Sequence, residues 1–96
     1  MRYLAAAAFL LFSIAAQAQS TIKIGLVTAL SGQSARPGEA ITRGMVVAID
    51  ELNAKGGVLG RKFELLRRDD EATPAKGVIA ARELLFKEKV AVLFGG

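Results

Sequence analysis

The chain has 96 residues, no cysteine, no histidine and no tryptophan, and a formal net charge of +4. That length admits one small domain. Disulfides are excluded, and without cysteine or histidine the usual zinc ligands are missing. Basic and acidic residues alternate along the chain instead of forming the basic stripe of a nucleic-acid-binding surface.

The first segment is not fold material. Arg2 gives a positive start, Leu4 to Ala16 reads LAAAAFLLFSIAA, and Ala16-Gln17-Ala18 offers small residues where a signal peptidase reads. This three-part pattern predicts a secretory signal peptide over residues 1–18, cut after Ala18. The other reading, an uncleaved anchor or buried helix, meets the need for roughly 20 apolar residues to span a membrane. The run is shorter, and polar residues follow at once. No cysteine follows to carry a lipid, so residues 19–96 are expected as a free, soluble, exported chain.

Thr21 to Leu30, TIKIGLVTAL, is rich in Ile, Val and Thr and turns fully apolar toward its end, a strand buried on both faces. Ser31 to Gly38, SGQSARPG, is a loop by composition. Pro37 suits the first turn of the next helix, where its missing N–H costs nothing. Glu39 to Lys55 is that helix, with Ile41, Met45, Ile49 and Leu52 on one face. Glu39 in its first turn and Lys55 in its last would suit the helix dipole, and Gly56-Gly57 stops it. Lys62 to Arg68, KFELLRR, is a more polar strand, placed nearer a sheet edge. Asp69, Asp70 and Glu71 form an acidic loop. Thr73 as N-cap and Pro74 at the first position open a second helix reaching about Glu88. Its apolar face is expected at Val78, Ala81 and Leu85, with Ile79 and Phe86 alongside. Val90 to Phe94, VAVLF, is apolar throughout and so expected to be a central strand, before Gly95-Gly96.

The order β-α-β-α-β predicts an α/β fold, the start of a doubly wound parallel sheet in strand order 2-1-3. Ligands on such sheets bind beyond the carboxyl ends of the strands, where the order reverses. That points to the loop Ala29 to Gly38 and to whatever follows the third strand. An apolar strand with an open edge invites aggregation. The sequence therefore reads as truncated, and residues 19–96 are not expected to fold stably by themselves.

Nucleotide binding is excluded by motif: five residues separate Gly32 from Gly38, no Gly-Lys-Ser/Thr follows, and no G-x-G-x-x-G occurs. Ser31, Gly32 and Ser34 either present hydroxyls and amides to a small polar ligand, with a helix N-terminus to favour a carboxylate, or form an ordinary turn and cap. Asp69, Asp70, Glu71 and Glu64 match no calcium loop. They read as a solvated loop whose charge suits the next helix start. No nucleophile elbow, catalytic set or cofactor motif is visible.

Four segments, in order and correctly spaced, carry a resemblance. Ile24-Gly25 begins a strand ending in a Ser31-Gly32 loop. Asn53 to Arg61, NAKGGVLGR, makes the helix-to-strand turn. Asp69-Asp70 follows the second strand with Pro74 shortly behind, and a short apolar strand runs into Gly95-Gly96. Together they resemble the branched-chain amino-acid-binding family of type I periplasmic solute-binding proteins of ABC importers, over essentially all of residues 19–96. The resemblance implies an incomplete N-terminal lobe of a two-lobed binder that closes on its ligand by a hinge and docks on an inner-membrane ABC permease. It implies a periplasmic protein, a monomer when full length, without cofactor, metal, enzymatic activity or nucleic-acid partner. Family members hold the ligand's carboxylate and ammonium just after the third strand, a segment that here begins at or beyond Gly96. Some add an aromatic at the start of the first helix, where this chain has Pro37. Ser31, Arg36 and Pro37 are thus the candidates to line the cleft, and Gly96 the one to approach it. The family also serves amides, urea, aromatic acids and sensory receptors, so the resemblance fixes role better than substrate.

Three other classes stay open on sequence. A sensory domain of the same fold would carry a membrane span or signalling module downstream. An exported enzyme would carry its catalytic groups there. A non-functional gene fragment would show a stop codon just after Gly96.

Overall fold

The structure is a computed structural model describing residues 20–96; the expected signal peptide and its cleavage point lie outside the described residues. Three parallel strands form one sheet in the order β2-β1-β3, where β1 is Ile22–Thr28, β2 is Phe63–Asp69 and β3 is Val92–Gly95. Ile22 pairs with Phe63 and Thr28 with Asp69 on one side of β1; Ile24 pairs with Val92 and Val27 with Gly95 on the other. The expected order is therefore observed. The most apolar stretch, Leu26 to Ala29, is buried.

Among the described residues β3 borders β1 on one side, as the expected order has it, and Val92 and Phe94 are about half exposed. An apolar sequence reports that both faces are meant to be covered, and says nothing by itself about which edge is paired.

Helix α1 runs Ala35–Ala54 after a 3-10 turn at Gly32–Ser34. It starts earlier than Glu39, because Pro37 fits the third helical position, where an amide N–H would have no intrahelical acceptor. Glu39 thus lies past the first turn and Lys55 becomes the C-cap, so neither sits where the expected dipole contribution requires. The helix ends as expected: Gly57 N–H donates to Leu52 O at 2.9 Å and Gly56 N–H to Asn53 O at 3.0 Å, with Gly56 at φ +100°. This double bond is the Schellman arrangement, which needs a left-handed residue just past the cap.

The inner face of α1 carries Gly38, Thr42, Met45, Ile49 and Asn53. Met45 and Ile49 were expected there, whereas Ile41 and Leu52 lie on the exposed flanks. Thr42 can be buried because its hydroxyl donates to Gly38 O at 2.8 Å. Asn53 exchanges two bonds with Phe63, Nδ2 to O at 2.9 Å and N to Oδ1 at 2.8 Å, and so starts β2 as a neighbouring strand would.

Helix α2, Pro74–Arg82, passes into a π-helical turn at Glu83–Lys87. Thr73 stands at the N-cap, but its hydroxyl donates backward to Glu71 O at 3.2 Å and caps nothing. The expected apolar face is also rotated. Ala80 and Leu84 are buried against Val27, Leu66, Val90 and Leu93, while Val78, Ile79, Leu85 and Phe86 are exposed, Phe86 at 75%. Apolar residues occur on two sides of this helix, so periodicity alone does not choose. The side with the smaller Gly77, Ala80 and Ala81 is the one that lets the helix approach the sheet. Alternation along β1 sends Val27 to α2 and Thr28 to α1, so the helices cover opposite faces.

Candidate functional site

In a parallel sheet all carboxyl ends lie on one side, so Thr28, Asp69 and Gly95 end the strands together. Here, between the β1–α1 loop and the β2–α2 loop, lies an open hollow of about 280 Å3. Thr28 and Ala29 form its floor, Ser34, Pro37 and Gly38 one wall, Asp70 and Ala72 the other, and Gly96 its third side. Larger hollows lie elsewhere: about 360 Å3 beside α1 with Leu30, Arg43 and Arg67, and about 550 Å3 at the amino ends of the strands. The strand-end hollow is the candidate because strand order reverses there and a helix begins there.

Its floor is rigid. Thr28 is 2% exposed, and its hydroxyl donates to Gly96 O at 2.9 Å. Gly96 N–H donates to Val27 O at 3.3 Å and Asp70 N–H to Thr28 O at 3.1 Å. Gly38 is buried against Ala29; a Cβ there would overlap the Ala29 carbonyl, so only glycine lets α1 start this close to β1.

The wall from β2 is built by two carboxylates. Asp69 Oδ1 accepts the amides of Leu30 and Glu71, each at 2.9 Å. Asp70 Oδ1 accepts the Ala72 amide at 2.8 Å. The Leu30 amide, the Ser31 hydroxyl and the Glu71 amide, in that order, hold the Asp69 carboxyl below its ordinary value, helped slightly by the charge of Lys76 and opposed by slight desolvation. The acidic loop is thus organised by backbone donors, and α2 has no acidic residue in its first turn. Among the described residues no group of acidic side chains is placed to hold a metal ion.

Of the residues singled out from sequence, Pro37 and Gly96 meet in the hollow together with Ser34. Ser31 is exposed and does not line the hollow. Arg36 is exposed at the start of α1 and does not line the hollow. Sequence reasoning missed Thr28, Asp70 and Ala72. The sequence reading carried the first strand on to Leu30, whereas β1 ends at Thr28; Asp70 and Ala72 are brought to the hollow by a short turn in which Asp70 accepts the Ala72 amide.

A parallel α/β sheet with its hollow at the strand ends defines a ligand-binding class, not a particular member. The chain matches the periplasmic binding protein family over residues 21–96 and belongs to it. It is 41% identical over 68 residues to the Leu/Ile/Val-binding protein BraC3 of Rhizobium johnstonii, covering 71% of this chain and 18% of that protein. It is 41% identical over 81 residues to Leu/Ile/Val-binding protein homolog 7 of Brucella abortus, covering 84% of this chain and 20% of the relative. Its fold superposes with a TM-score of 0.76, at 34% identity, on the branched-chain amino acid transporter substrate-binding protein LivJ of Streptococcus pneumoniae in complex with isoleucine, covering 80% of this chain and 22% of that one. The chain thus spans about a fifth of the length of the relatives it matches. These relatives are solute-binding proteins of an extracytoplasmic family.

Proposed function

We propose that the chain is the first part of the N-terminal lobe of an extracytoplasmic solute-binding component of an ABC importer, for branched-chain or related amino acids. The observation that carries this reading is the hollow at the carboxyl ends of β1 and β3, in a fold that superposes on the isoleucine-bound LivJ. Residues 1–18 are its signal peptide, cut after Ala18, and residues 19–96 begin the lobe. Thr28, Ser34, Pro37 and Gly96 form half of the cleft, with Ser31 behind them and Arg36 at the rim. The start of α1, whose dipole favours negative charge, faces the same end of the sheet as the segment after β3 that would hold the ligand's carboxylate. Pro37 gives that wall an apolar surface, suited to an aliphatic side chain. The product is a monomer that binds and releases its ligand unchanged, closes a second lobe over it, and docks on a membrane permease.

The test uses the product of the complete reading frame, purified from a periplasmic extract. Intact mass spectrometry should find an N-terminus at Gln19 and a mass well above that of residues 19–96. Titration calorimetry should then show saturable binding of L-leucine, L-isoleucine or L-valine. A product no larger than residues 19–96, or one that binds none of the three, would sink the reading.

A further inference from the structure

We propose that Asp69 is a positioning residue of the ligand cleft, tying the loop that leaves β1 to the loop that leaves β2. The inference deepens the solute-binding reading and rests on it, because it concerns the two loops that would wall the cleft.

Asp69 is the last residue of β2, in register with Thr28, so the sheet itself fixes where its side chain starts. From there a single oxygen reaches two chain-distant segments, the Leu30 amide in one loop and the Glu71 amide in the other. An ionised carboxylate is purely an acceptor and can take both donors at once.

Both loops need this anchor. Leu30 and Ser31 lead directly into the turn that sets Ser34 and Pro37 against the hollow. Glu71 and Ala72 are held at φ +51° and +56°, a left-handed conformation that costs a side-chain-bearing residue free energy and persists only when its surroundings impose it. The Glu71 amide is held by Asp69 and the Ala72 amide by Asp70. Ala72 then lines the hollow opposite Pro37. Asp69 does not line that hollow, so it acts through the residues it holds.

The test compares Asp69→Ala, Asp69→Asn and Asp69→Glu in the full-length product, by L-leucine calorimetry and by amide hydrogen exchange. Asp69→Ala should speed exchange at Leu30 and Glu71 about tenfold or more, leave Leu26 unchanged, and weaken L-leucine binding by about tenfold. Asp69→Asn keeps an acceptor oxygen and should restore both readouts to within about threefold. Asp69→Glu keeps the charge but displaces the oxygen; if the alanine variant does not fold, a loss of about fivefold in affinity here carries the test. Wild-type exchange at Leu30 and Glu71 in the alanine variant would overturn the proposal. So would unchanged affinity in the alanine variant, or in the glutamate variant where it stands in. If the unmodified protein binds no L-leucine, the ligand reading fails, while the exchange measurement still decides whether Asp69 holds the loops.

Discussion

Thr28 and Gly96, at the ends of neighbouring strands, are joined by a hydrogen bond of 2.9 Å from the threonine hydroxyl to the glycine carbonyl. The donor is closed to water, Thr28 being 2% exposed, while Gly96 is exposed. It ties the end of β1 to the residue that follows β3. Thr28→Val keeps the shape and removes the donor, leaving the exposed Gly96 carbonyl to water. The expected cost is about 0.5–1.5 kcal/mol, read as a lowered midpoint in chemical denaturation of the full-length product. Ligand affinity should fall as well.

Gly38→Ala should be far more damaging than an alanine in a helix usually is. The added methyl would overlap the Ala29 carbonyl, which is backbone and cannot rotate away. Either α1 or the end of β1 must move. The expected loss is about 3 kcal/mol, measured in the same denaturation experiment, with Gly44→Ala as the comparison. Nothing lies near a Cβ at Gly44, so that variant should be neutral or slightly stabilising.

Leu84 is fully buried at the junction of α2 and the sheet, packed with Val27 and Ala80. Leu84→Ala opens a cavity there and should cost about 2–5 kcal/mol by denaturant titration.

The Asp69 carboxyl is held below the ordinary aspartate value of about 3.9 because it accepts donors that exist only in the fold. Its contribution to stability is therefore complete above that unfolded-state value and is lost as pH falls through the depressed folded value. Stability against pH in acid should fall less steeply in Asp69→Asn than in the unmodified protein. Equal slopes for the two would show that Asp69 binds protons alike in folded and unfolded chains.

Residues 19–96 alone should not show a cooperative thermal transition. Val92 and Phe94 are half exposed on an edge strand, and Val78, Ile79 and Phe86 are exposed on α2. A chain this small buries only about 60% of its unfolded surface, too little to offset the entropy of ordering it by a wide margin. A sharp calorimetric peak from the purified fragment would refute this.

Strand order and helix number were legible because β-α-β-α-β alternation and right-handed crossover leave few arrangements. That Pro37 and Gly96 fall beside one hollow follows from a topology that gathers the loops at the strand ends. What was not legible came from side chains with two possible allegiances. α2 has apolar residues on two sides, and only contact with the sheet selects Ala80 and Leu84 over Val78 and Leu85. Asp69 and Asp70 stay in a largely exposed loop, as read, and each accepts an amide two residues on; only the bond from the Leu30 amide to Asp69 joins a segment remote in sequence, which nothing local announces.

The pairing of β1 has a consequence for the order of events in the cell. β1 borders both other strands, yet it cannot find β2 until all of α1 has been made, nor β3 until α2 has been made as well. Chains whose first strand waits for such remote partners fold slowly, because a long loop must close before any contact rewards it. During synthesis the leading strand has nothing to pair with and the chain stays open. That delay is the condition a protein must meet if it is to be threaded through a membrane before it folds.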